Sequence, residues 1–66
     1  MLDTEYLRER RRQEGYRLID MAEKLKYHSA NGYWRLERNI TRAKLEHVLR
    51  LSEIFSEPLE NFIVRK

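Results

Sequence analysis

The chain has no cysteine, one proline and two glycines among its 66 residues. Without cysteine there can be no disulfide framework and no thiolate metal site, and nothing is lost in a reducing compartment. With so little glycine and proline, no stretch reads as a linker, and no segment repeats. No apolar run approaches the roughly 20 residues of a membrane span, and the N-terminus carries no signal-peptide pattern, so a cytoplasmic location away from membranes is expected. The two histidines, His28 and His47, have neither cysteine partners nor i, i+4 spacing. The two aspartates, Asp3 and Asp20, form no dyad, and there is no glycine-rich phosphate loop. No metal, cofactor or enzymatic activity is therefore expected.

What remains is a short, charged, helix-forming chain. Its length makes one domain, residues 1–66, with a small core and a stability of only a few kcal/mol. The formal net charge is +3. Its distribution is more informative than its size. Arg8, Arg10, Arg11 and Arg12 cluster early, and Arg35, Arg38, Arg42 and Lys44 lie in the middle. Leu51 to Phe62 holds Glu53, Glu57 and Glu60 and no base. Such polarity would orient the domain on a polyanion.

Alternating β-branched residues are scarce, so the periodicity predicts an all-α fold. A first helix is predicted over about Asp3–Glu14, capped by Asp3 or Thr4 and ended by Gly15. A second covers about Leu18–Lys26, with Leu18, Met21, Ala22 and Leu25 on one face. Ser29 is a good N-cap for a third, which runs to about Arg38 with Tyr33, Leu36 and Ile40 on one side. Thr41 caps a fourth, to about Ser56, that buries Leu45, Val48, Leu49, Ser52 and either Phe55 or Leu51. Ser56-Glu57-Pro58 starts a short fifth, with Leu59, Phe62 and Ile63 on its apolar side. The Asn31-Gly32 pair is itself a turn signal, so a start at Gly32 stands beside the start at Ser29 for the third helix.

Two short helices across a tight break, the second displaying Asn31, Arg35 and Arg38 beside a buried stripe, suit a major groove. Arginine pairs bidentately with guanine and asparagine with adenine, which makes Arg35 and Asn31 the expected base readers. Ala30 is placed to meet a thymine methyl or to be an ordinary first-turn alanine. Gly32 is read as close approach to DNA or as a turn glycine. Ser29 and the amides near it can hold a phosphate at a helix N-terminus. Trp34 either flanks the DNA or packs against the turn. Tyr33 reads as core. Tyr27 and His28 either touch the DNA backbone or fill the gap around the loop, and Arg17 is a further phosphate contact.

Several residues in order resemble the Cro and phage-repressor type of helix-turn-helix domain, the xenobiotic-response-element regulators. They are Gly15 with Arg11 four residues before it, Ala22 in the second helix, the Leu36-Glu37 pair, Arg38 and Asn39 after it, and Leu51, Ile54, Phe55, Leu59 and Phe62 at the close. The resemblance covers about Leu7 to Ile63. It departs at Lys26, where the family usually has glycine, in a turn one residue longer, and at Leu18, where a phosphate-touching glutamine is common.

The resemblance implies a compact five-helix, lambda-repressor-like helix-turn-helix fold. It implies sequence-specific binding to double-stranded DNA by a transcription regulator, in particular a repressor of phage or mobile-element type. It further implies phosphate contacts from Arg38, Asn39, Arg42 and Lys44, and an ion pair of Arg11 with Glu37. A homodimer on two half-sites is the expected working form, with Phe62, Ile63 and Val64 as its interface. The rival reading is a protein-interaction module, such as an antitoxin-like or anti-repressor partner, anchored on Trp34 and Tyr33.

Overall fold

Asp3 turns out of an extended conformation and its carboxylate accepts the Tyr6 amide proton at 3.1 Å, which starts the first helix. In the computed structural model, which describes residues 1–64, four α-helices and one 3-10 turn follow in order. They are α1 (Thr4–Gln13), α2 (Leu18–Lys24), α3 (Ala30–Glu37), α4 (Leu45–Phe55) and the 3-10 turn Leu59–Phe62. No strand forms among the described residues. A single antiparallel bridge joins Leu2 to Ile63 and brings the two ends together. The architecture is all-α, and no described helix is long and apolar enough to cross a membrane.

All four α-helices stop in the same way. One residue enters the left-handed region and two amides turn back onto the last carbonyls, the Schellman arrangement. After α1 the residue is Gly15, and Tyr16 N–H reaches the Arg11 carbonyl at 3.0 Å. After α2 it is Lys26, with Tyr27 N–H on the Ala22 carbonyl at 2.8 Å. After α3 it is Asn39, with Ile40 N–H on the Arg35 carbonyl at 2.9 Å, and after α4 it is Ser56. Only Gly15 takes this conformation without the cost of a Cβ, roughly 1–2 kcal/mol for an ordinary residue.

The core is Leu7 of α1, Met21 and Ala22 of α2, Tyr33 and Leu36 of α3, and Val48, Leu51 and Phe55 of α4, closed by Leu2 and Phe62. Phe62 meets the Tyr6 ring edge-on at 5.3 Å and stacks on Phe55 at 5.7 Å. Tyr6 and Arg10 both hydrogen-bond Glu57, which also accepts from Asn61, so α1 is fastened to the segment after α4. The Tyr6 and Arg10 bonds, Tyr6 foremost, hold the Glu57 carboxyl below its usual range. Sharing that carboxylate raises the Tyr6 hydroxyl.

Several expectations are corrected. α2 ends at Lys24 rather than Lys26, because Lys26 is the left-handed residue of its cap. Ile40 is 62% exposed, since Asn39 has already turned the chain out of the α3 helix and the apolar phase is lost. Thr41 does not cap α4. Its amide still closes on the Arg35 carbonyl, and Lys44 occupies the N-cap position. The buried stripe of α4 is Val48, Leu51 and Phe55, which leaves Leu45 and Leu49 in solvent. The fifth helix is a single 3-10 turn after Pro58. Phe62 is completely buried and cannot serve a dimer interface; Ile63 is half-buried beside Leu2, and Val64 remains exposed.

Candidate nucleic-acid interface

α2 and α3 pack on each other more extensively than any other pair of elements. Between them the chain runs through Leu25–Ser29. Ser29 is extended and its hydroxyl accepts the Gly32 amide proton at 3.4 Å, so α3 begins at Ala30 and Asn31 lies inside the helix. That settles the two starts left open by the sequence. Tyr33, Leu36 and Glu37 form the inner face of α3. At about 100° per residue, Asn31, Arg35 and Arg38 fall on the opposite side, and all three are exposed.

α1 fixes α3 from behind. The Arg11 guanidinium makes two bonds to the Glu37 carboxylate, at 2.8 and 3.0 Å, and a third to the Tyr16 carbonyl at 3.2 Å. One turn earlier, Arg8 donates to the Glu37 carbonyl at 3.1 Å. The two arginines therefore hold the end of α3 by side chain and main chain. Glu37 is 2% exposed, so its charge is directed inward and lost to the surface. The nearby Tyr33 hydroxyl is buried with no hydrogen-bond partner among the described residues. Burial first, and then the Glu37 carboxylate, push its pKa well up.

The turn is braced by aromatic contacts. The Tyr27 ring lies against Gly32, where an added Cβ would sit 3.0 Å from Tyr27 Cδ1. The same ring stacks on His47 of α4 at 6.0 Å, with its hydroxyl 3.3 Å from His47 Nε2. His47 Nδ1 in turn accepts the Lys44 amide proton at 2.9 Å. Gly32 thus makes room for Tyr27. Tyr27 fills the loop gap, and burial raises its hydroxyl.

Electrostatics single out this surface. From Leu25 to Lys44 the only acidic residue is the buried Glu37. Lys26, Arg35, Arg38, Arg42 and Lys44 are all exposed, and none forms an ion pair among the described residues. Arg38 lies over the Trp34 ring at 5.7 Å, so half-buried Trp34 borders the polar stripe with one face already covered. His28, Ser29 and Asn39 are exposed around the same helix, and Ala30 is half-buried in its first turn. Arg17 is different. Its side chain is 77% exposed, but its guanidinium donates to both Asp20 oxygens, at 3.2 and 3.1 Å. Its charge is answered within its own helical turn, and it stands apart from the unpaired five.

Lys26 is exposed at the end of α2, just ahead of the basic stretch around α3; the sequence marks it only as a position where glycine is usual. No protein-family model, curated protein or solved structure significantly matches this chain.

Proposed function

We propose that the chain is a sequence-specific double-stranded DNA-binding domain that regulates transcription, acting as a repressor by occupying its operator. α3 enters the major groove. Asn31 and Arg35 read base edges, one turn apart on its exposed side. Lys26, Arg38, Arg42 and Lys44 bind phosphates around it and set its orientation. Two copies on adjacent half-sites, about one helical turn apart, form the working complex. The chemistry is recognition alone, without catalysis, cofactor or metal.

The observation that carries this reading is the twenty-residue stretch whose every exposed charge is positive and, among the described residues, unpaired, wrapped around a helix with a polar outer stripe. The rival interaction module is less well supported, because Tyr33, one of its two anchors, is fully buried and offers a partner nothing.

Salt dependence tests the proposal. Each phosphate contact releases counterions, so the affinity for duplex DNA falls steeply with salt. Arg42→Ala and Lys44→Ala should each weaken specific and non-specific binding alike and reduce the logarithmic salt slope by about one. Binding that ignores salt, or a slope unchanged in both variants, would remove the phosphate contacts and the reading with them.

A further inference from the structure

The first two residues of the chain and the loop between α3 and α4 enclose a cavity of about 410 Å³, lined by Met1, Leu2, Asn39, Ile40, Arg42 and Ala43. The backbone puts it there. The bridge of Leu2 to Ile63 holds one wall in place, and the left-handed Asn39 turns the chain out of α3 to make the other. Leu2 is buried and Ala43 half-buried, so they form the inner surface. Ile40 and Met1, 62% and 76% exposed, stand at the rim. Two polar groups share this lining with the apolar ones, the Asn39 amide and the Arg42 guanidinium. Arg42 forms no ion pair among the described residues, and no acidic residue lines the cavity.

We infer that this cavity binds a small amphipathic carboxylate, its apolar body against Leu2, Ile40 and Ala43 and its anionic head on Arg42. The volume falls within the range of about 300–1,000 Å³ usual for small-molecule sites. A guanidinium takes a carboxylate through two parallel N–H···O bonds, and the Asn39 side-chain amide can donate a third. Charge complementarity rules out a cationic occupant. A bare inorganic anion gains nothing from Leu2, Ile40 and Ala43, and a neutral apolar molecule gains nothing from Arg42. An amphipathic anion uses both halves of the lining.

One consequence rests on the DNA reading, in which Arg42 binds a phosphate. A carboxylate in the cavity takes the same guanidinium, so ligand and DNA oppose each other, and each lowers affinity for the other by the same factor. The ligand is then an inducer that releases the domain from its operator. The cavity itself does not depend on DNA, so the two readings fail separately.

The experiment is an amide NMR titration of the full chain without DNA. The probe is sodium octanoate below its micelle concentration, at constant total sodium. Acetate supplies the head without the body, and octan-1-ol the body without the charge. Octanoate should give saturating shifts confined to Leu2 and the 39–43 loop, and both controls should bind at least about ten times more weakly. Arg42→Gln should weaken octanoate about tenfold or more and leave octan-1-ol unchanged. Ile40→Ser, a change at an exposed side chain, should weaken both. With duplex DNA present, octanoate should lower the affinity of the wild type. Ile40→Ser should bind DNA as the wild type does and resist octanoate. The site is overturned by the absence of saturable shifts, by equal binding of octanoate and octan-1-ol, or by shifts centred elsewhere, such as on Leu45 and Leu49. A saturable site that leaves DNA affinity unchanged overturns the inducer role. Octanoate binding by a chain that binds no DNA supports the site and refutes the DNA reading.

Discussion

Replacing Glu37 by alanine tests how α3 is held. The side chains of Arg11 and Glu37 are 15% and 3% exposed, and two hydrogen bonds join them. Removing one partner of such a pair typically costs roughly 3–5 kcal/mol, because a desolvated charge is left unanswered. Arg11 keeps its bond to the Tyr16 carbonyl and has one edge near water, which puts the loss at the lower end, about 3 kcal/mol. A chain of this length has about 3–10 kcal/mol in all. At about 4–8 °C per kcal/mol for a domain this small, Glu37→Ala should melt about 12–24 °C below the wild type. Thermal melts followed by circular dichroism measure it. The joint change Arg11→Met with Glu37→Leu removes both charges and should recover most of the loss, since apolar residues of similar size replace buried pairs well. A melting point for Glu37→Ala within a few degrees of wild type, or strict additivity in the double-mutant cycle, would show that the pair does not hold α3.

Two further outcomes follow from the same contacts. Lys26→Gly removes a Cβ from the left-handed residue of the α2 cap and should stabilise the chain by about 0.5–1 kcal/mol, the strain relieved less the added freedom of the unfolded glycine; a chemical denaturation midpoint at or below wild type would refute that. Because the folded Glu57 carboxyl titrates below its ordinary value of 4.5, its contribution is intact above about pH 4.5 and is lost as pH falls through the lower folded value. Melting temperature should decline in that acid window, and Glu57→Gln should flatten the decline. An identical acid profile in both proteins would contradict the role given to the Tyr6–Arg10–Glu57 cluster.

How far the sequence reveals this molecule depends on which forces are local. Asp3 and Ser29 are recognisable as caps because a short oxygen-bearing side chain satisfies its own helix. Gly15 is recognisable because glycine needs no help to turn left-handed. Lys26, Asn39 and Ser56 take the same left-handed conformation, and of the three only asparagine is a residue known to tolerate it, so Lys26 and Ser56 do not advertise their caps. The α4 stripe shows the same limit. Leu45, Val48, Leu49 and Ser52 make as good a helical face as Val48, Leu51 and Phe55, the two differing by roughly a fifth of a turn. Tertiary packing, such as Phe55 on Phe62, chooses between them. At the candidate interface, Asn31, Arg35, Arg38, Arg42 and Lys44 stand out from composition and spacing alone. The purpose of Gly32 does not, because Tyr27 meets it from outside its own helix. Nor does the silence of Arg17, which depends on the rotamer that brings it onto Asp20.

The central claim is that the outer stripe of α3 reads bases, and selection of binding sites from random duplex DNA tests it most directly. Wild type, Asn31→Ala and Arg35→Ala are selected in parallel and their base preferences compared. The account predicts one defined site for the wild type. Each variant should lose preference at a different single position and about 1–3 kcal/mol on the wild-type site, with non-specific binding changed less. Identical preferences in all three proteins, or no enriched sequence for the wild type, would contradict it.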